Sequence, residues 1–239
     1  MGDSRPMHIG LIGGIGPAAT DFYHRGLIER HAASGIPLEL TIAHADAWEM
    51  TRNMANRDPG RQAESFAPLV HRMKAAGAGA AAITSMGGHF CVKELEAISP
   101  LPILNAIPEV DAALARRKLN KIGIIGTRTV MESRLYRGIS SAEIVVPEGE
   151  VLEQVHSAYV EMAIAGRVTD AQRRVFVTVG RHLCRGQGAE AVILGGTDLF
   201  LAFTDHEPGF AIVDCADIHV DAIYRKSSAW SLMRSSSAG

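Results

Sequence analysis

A strand that runs straight into a glycine turn occurs twice in this chain, and the repetition narrows the folds open to it. The first copy is His8-Ile9-Gly10-Leu11-Ile12-Gly13-Gly14-Ile15-Gly16-Pro17, and the second is Lys121-Ile122-Gly123-Ile124-Ile125-Gly126-Thr127. Each half then carries another apolar strand ending in small residues: Ile83-Thr84-Ser85-Met86-Gly87-Gly88-His89 and Ile193-Leu194-Gly195-Gly196-Thr197-Asp198. Further short apolar runs raise the expected strands to eight, near 8–13, 38–45, 80–85, 102–105, 121–126, 143–147, 191–195 and 210–214. Amphipathic stretches separate them at 18–33, 61–76, 108–118, 129–138, 149–165 and 170–186. In the second of these, Phe66, Val70 and Met73 share one face, while Arg61, Glu64, Arg72 and Lys74 stay mostly in water.

Strands alternating with helices of this length form parallel sheets through crossover connections. The expected fold class is therefore α/β, with two pseudo-symmetric Rossmann- or flavodoxin-like lobes, each a parallel sheet flanked by helices. Lobe 1 spans 1–105 and lobe 2 spans 106–215, with a C-terminal helix of about 216–239 packing back on lobe 1. The site belongs in the inter-lobe cleft, outside the carboxyl ends of the strands.

Composition removes several functions. A net charge of −2 without a basic block, and only 5% aromatic residues, give no nucleic-acid footprint. The uncharged run from Ala75 to Val92 is rich in Gly and Ala and reads as a crowded buried strand with its turns, not a membrane span. No secretory leader is visible, and Cys91, Cys184 and Cys215 are odd in number and far apart, which suits a reducing cytoplasm.

The strand-end loops hold the chemistry. Gly14-x-Gly16-x-x-Ala19 formally matches a dinucleotide fingerprint, with Pro17 at a first helical position and Asp46 as the acid after the second strand. The plainer reading of the same segment is a tight strand-to-helix turn that holds a carboxylate or nothing at all. Ser85 and His89 stand four apart, as a nucleophile–base pair or as a ligand hydrogen bond and a helix cap. His44 ends a strand beside Asp46, as an imidazole that enters the cleft or as a buried, satisfied histidine. Asp198 is a base or a helix cap. Cys91 is a first-turn thiol or a small buried residue. No His/acid spacing suggests a metal.

Taken together these segments resemble the aspartate/glutamate racemase superfamily, in its bacterial amino-acid racemase branch, over nearly the whole chain. Gly13-Gly14-Ile15-Gly16-Pro17-Ala18-Ala19-Thr20 is similar to that family's Gly-Gly-Met-Gly-Pro-x-Ala-Thr opening. Gly126-Thr127-Arg128-Thr129-Val130-Met131-Glu132, continued by Tyr136-Arg137-Gly138, is close to its Gly-Thr-Arg-x-Thr-Met-Glu segment. Asp214-Cys215-Ala216-Asp217-Ile218-His219 resembles the closing Asp-Thr-x-x-Ile-His. The resemblance implies two similar lobes, no cofactor, a homodimer and a two-base mechanism in which paired thiols remove and return the Cα proton. It also exposes a gap. Where the family has Cys-Asn-Thr-x-His this chain has Ser85-Met86-Gly87-Gly88-His89, and where it has Gly-Cys-Thr-Glu this chain has Gly195-Gly196-Thr197-Asp198. Both thiol positions are replaced, by Ser85 and Gly196.

Three functions follow. The first is a cofactor-independent, racemase-like isomerase (or lyase) of a small or aryl carboxylate, with Ser85, His44, His89 and Asp198 as the catalytic candidates. Its substrate-binding positions are Gly14, Ile15, Gly16, Met86, Gly87, Thr127, Gly196 and Thr197. Loss of side chains at Gly87 and Gly196, with Met86 beside them, is expected to enlarge the cleft and make it more apolar. The second is a carboxylate binder without turnover, and the third is a nucleotide-dependent oxidoreductase using the Gly14–Ala19 turn. The small-molecule carboxylate is the expected partner, with no nucleic acid and no membrane.

Overall fold

The computed structural model describes residues 6–204 and 206–236, with side chains up to residue 229. The first half is β1 (Ile9–Gly13), α1 (Pro17–Ser34), β2 (Leu40–His44), α2 (Ala47–Ala55), α3 (Pro59–Ala75), β3 (Ala80–Ile83), a 3₁₀ turn (Gly87–Cys91), α4 (Val92–Ile98), β4 (Ile103–Leu104) and α5 (Ala106–Arg117). The second half is β5 (Lys121–Ile125), α6 (Arg128–Glu132), β6 (Glu143–Val145), α7 (Gly149–Ala165), α8 (Asp170–Gln187), β7 (Ala191–Leu194), a 3₁₀ turn (Thr197–Leu199), α9 (Phe200–Phe203), β8 (Ile212–Asp214) and α10 (Cys215–Ser236).

The strands form two four-stranded parallel sheets, ordered β2-β1-β3-β4 and β6-β5-β7-β8. Each sheet reads outward from its first strand in the same order, so β3 and β7 hold equivalent places. The glycines of β1 and β5 and the alanines of β3 have a packing reason. A Cβ at Gly10 would lie 2.5 Å from the sulfur of Met73, and one at Gly123 would lie 3.0 Å from Leu183, so α3 and α8 sit directly on their sheets. Ala80, Ala81 and Ala82 in β3 are fully buried and leave the same room.

The helices of the expected list are present, and the differences are local. Helix α2 is held by Asp46, whose carboxylate accepts from the Glu49 amide, so this acid is a cap. The stretch expected to be helical over 129–138 stops at Glu132, because Arg134, Leu135, Tyr136 and Arg137 all take φ between 51° and 56°. Four non-glycine residues in the left-handed region cost about 1–2 kcal/mol each. Burial of Leu135 and a hydrogen bond from the Tyr136 hydroxyl to the Gly87 carbonyl (3.0 Å) offset that cost.

Helix α10 lies on the first half. Ala216, Val220 and Ile223 pack with Ile9, Leu11, Tyr23 and Leu27, and Arg225 pairs with Glu109 at 2.8 Å. His219 pins it further: its Nδ1 accepts from the Tyr23 hydroxyl and its Nε2–H donates to the Leu104 carbonyl, both at 2.8 Å. With both nitrogens committed in a buried place, the imidazole stays neutral, its pKa pushed down to about 3 by burial and then by neighbouring His89. Residues 237–239 of the expected C-terminal helix lie outside the described residues. Among the described residues, no helix is long and apolar enough to cross a membrane.

Candidate active site at the seam between the sheets

The equivalent strands β3 and β7 end in Thr84-Ser85 and Gly195-Gly196, and the 3₁₀ turns that follow them face each other. Hydrogen bonds join the two halves directly. The Met86 amide donates to Thr197 Oγ1 (3.1 Å), the Ala19 amide donates to Asp198 Oδ1 (3.1 Å), and the Tyr136 hydroxyl donates to Gly87. The Phe22 and Phe200 rings meet at 4.8 Å beside them.

Asp198 is the chemical centre of this seam. It is 3% exposed, and burial raises its carboxyl to about pKa 6 in spite of the Ala19 amide and the Tyr159 hydroxyl, which favour the charged form. Tyr159 donates to Oδ2 at 3.3 Å, and burial keeps that phenol protonated. The Ala19 amide belongs to the first turn of α1, an 18-residue helix whose positive end faces the carboxylate. A Cβ at Gly16 would stand 2.7 Å from Oδ2, so glycine there lets the carboxylate reach the helix end.

Tyr159 is the residue that sequence reasoning missed, and it corrects the expected cleft. A Cβ at Gly196 would lie 2.2 Å from its Cε2 and 2.4 Å from its Cζ. The room left by glycine is therefore filled by an aromatic ring from α7, and Met86 is fully buried in the same apolar cluster as that ring. The cleft is not enlarged. Tyr159 sits mid-helix, 37 residues before Gly196 in the chain, so no motif links the two.

The other candidates take distinct places. Ser85 is 7% exposed, and its Oγ accepts from the Gly88 amide (3.2 Å), leaving its own proton to donate. His89 is buried with both nitrogens engaged. Its Nε2 accepts from the Ala106 amide (3.2 Å), so the proton sits on Nδ1 and is donated to the Ser85 carbonyl (2.7 Å). Burial lowers its pKa to about 4, and its ring takes up the first amide of α5, whose N-cap is Asn105, and does not cap the helix that follows it. His44 is exposed and lies over Gly14, where a Cβ would meet its Nδ1 at 2.4 Å. The chain therefore brings Asp198 together with Gly16 and Ala19, and Thr197 with Met86, and leaves His44 at the rim.

Gly14 has φ 90°, a turn conformation that glycine takes freely, and its amide donates to Thr20 Oγ1. Ile15 lies next to Gly88, and Thr127 caps α6 by accepting from the Val130 amide. Cys91 is buried, its thiol donates to the Gly88 carbonyl, and its pKa is pushed up to about 12. Burial likewise raises the thiols of Cys184 and Cys215. None of the three is a ready proton carrier near neutrality. Among the described residues, no group of three or more His, Cys, Asp or Glu side chains could hold a metal ion. A nucleotide pyrophosphate at the Gly14–Ala19 turn would meet the Asp198 carboxylate already on that helix end, an unfavourable contact between like charges.

Comparison with known proteins points the same way. The chain overlays an aspartate racemase homologue from Pyrococcus horikoshii OT3 with a TM-score of 0.73 at 24% identity, covering 92% of this chain and 99% of the other. It overlays the Picrophilus torridus aspartate racemase with a TM-score of 0.73 at 16% identity, over 93% and 94%. Glutamate racemase from Francisella tularensis, solved with D-glutamate, gives 0.62 at 16% identity, over 93% and 80%. At these identities the overlays establish a shared fold. The family model described as Asp/Glu/Hydantoin racemase matches residues 12–223, so two facing parallel sheets with loops meeting at their strand ends are here the frame of a chain that belongs to the Asp/Glu/hydantoin racemase family.

Proposed function

We propose that this chain is a cofactor-independent isomerase of a small or aryl carboxylate, in which Asp198 takes and returns the proton on the carbon next to the carboxylate. Inversion needs a base on one face of the carbon and a proton donor on the other: Asp198 is a competent base and, once protonated, a competent acid at working pH, while the Ser85 hydroxyl of the facing loop gives its proton to the opposite face and recovers one from solvent. The single observation that carries the reading is the buried Asp198 carboxylate with its pKa near 6, held at the junction of both halves. In this reading Ser85 and Gly196 stand where relatives present thiols, and the acid–base function has moved two residues along the second loop.

The neighbouring groups support that assignment. The Tyr159 hydroxyl and the Ala19 amide fix the orientation of the carboxylate, and burial keeps its ionisation close to neutrality. In this reading the proton of Ser85, whose Oγ already accepts from the Gly88 amide, is the one delivered to the opposite face of that carbon. His89 acts as a positioning residue, its Nδ1–H holding the Ser85 carbonyl. Because Met86, Tyr159 and three inter-lobe hydrogen bonds close the seam, the two halves part to admit substrate.

The test is solvent-deuterium exchange across a panel of 2-amino, 2-hydroxy and 2-aryl carboxylates, without added cofactor. Deuterium appearing at the carbon next to a carboxylate, at a rate rising through pH about 6, supports the reading. Exchange equal in wild type and Asp198→Asn would sink the assignment of Asp198. Absence of exchange across the panel, with carboxylates still bound, would favour a non-catalytic binder.

A further inference from the structure

A cavity of about 500 Å³ opens beside the seam, not between Ser85 and Gly196. One wall comes from the first half (His89 to Glu94, and Asn105 to Pro108) and the other from the left-handed turn at Ser133–Gly138. Its inner surface is mainly apolar, and Ile107, Pro108 and Tyr136 are among the residues that line it. The polar groups near that surface are already engaged. Asn105 Oδ1 accepts from the Ile107 amide, Ser133 Oγ accepts from the Tyr136 amide, and the Tyr136 hydroxyl is bonded to Gly87. The charges lie around it: Lys93 and Arg137, both exposed, and the half-buried Glu94. Among the described residues none of these three is in an ion pair.

We infer that this cavity is a second ligand site, taking a carboxylate with an apolar body. Cations outnumber acids two to one, and the first turn of α5, a 12-residue helix, adds its positive end. The apolar part of the ligand lies on Ile107, Pro108 and Tyr136, and its carboxylate meets Lys93 and Arg137. None of Asp198, Ala19 and Tyr159 lines this cavity; His89 and Tyr136 line it and also hold the seam, so Lys93 and Arg137 are the residues that test the site apart from the proposed reaction.

The experiment is calorimetric titration of 3-phenylpropionate into the full chain, with 3-phenyl-1-propanol as the uncharged control. Lys93→Gln sits on an exposed helix position, and Arg137→Asn keeps a residue type that tolerates the left-handed backbone. Saturable binding of the acid that weakens about tenfold in each variant and is unchanged in Asp198→Asn establishes the site. Binding lost in Asp198→Asn but kept in both cavity variants places the ligand in the seam and overturns the inference. Equal affinity for the alcohol overturns the assignment of a carboxylate, and absence of any saturable heat overturns the site itself.

Discussion

Replacing Asp198 by Asn should make the protein more stable above pH 6 while removing the group proposed to act as acid and base. The folded pKa is about 6, against 3.8 for an unburied aspartate, so ionising Asp198 in the folded state opposes folding. The stability this carboxyl contributes is full below pH about 3.8 and is lost as pH rises through about 6, and the two values correspond to about 3 kcal/mol. Asn retains an oxygen for the Ala19 amide and offers an N–H to the Tyr159 hydroxyl, so shape and hydrogen bonding are kept. Urea unfolding of both proteins at pH 4, 5, 6 and 8 should show a difference near zero at pH 4, growing in favour of Asn to as much as about 3 kcal/mol at pH 8. His89 and His219 also affect stability, with the opposite sign. Their folded pKa values are lowered to about 4 and 3, so their contribution is present above pH 6.5 and lost as pH falls below it. Those terms are common to both proteins and cancel in the difference, so the variant alone should fall more steeply in acid. A difference independent of pH, or a variant less stable at pH 8, would refute the claim that a buried carboxylate ionises there against its surroundings.

Gly196→Ala should destabilise by about 1–3 kcal/mol, because the new methyl collides with the Tyr159 ring. The penalty should shrink strongly in a Tyr159→Ala background, which a double-mutant cycle in urea measures. Arg134→Gly should stabilise by up to about 1 kcal/mol, since an exposed non-glycine residue at φ 51° is relieved, and thermal unfolding reads it. Tyr136→Phe removes the bond to the Gly87 carbonyl across the seam and should cost about 1 kcal/mol, again by urea unfolding.

The sheets were legible because their strands are apolar, glycine-terminated and regularly spaced, and all eight lie within a few residues of their expected limits. Helix α2 escaped because its signal is a single cap, Asp46, that also fits other roles. The end of α6 at Glu132 escaped for a different reason: Arg134 to Arg137 carry no turn residue, and their left-handed backbone is held by burial of Leu135 and by a tertiary bond. At the seam, Ser85, Thr197 and Asp198 lie at the strand ends where the sequence puts them. The filled cleft was not, because Tyr159 reaches Gly196 from the middle of a helix whose own pattern concerns packing. The fate of His89 was also hidden. Only the fold shows that Ala106 takes one of its nitrogens and Ser85 the other.

The central claim is that an aspartate, and no thiol, moves the proton in this racemase-family chain. Its most direct test compares solvent-deuterium exchange at the carbon next to the carboxylate in two variants: Cys91→Ala/Cys184→Ser/Cys215→Ala, and Asp198→Asn. The account predicts near wild-type exchange in the cysteine-free protein and a loss of about 10²-fold or more in Asp198→Asn. Exchange that disappears with the cysteines and survives at position 198 would contradict it.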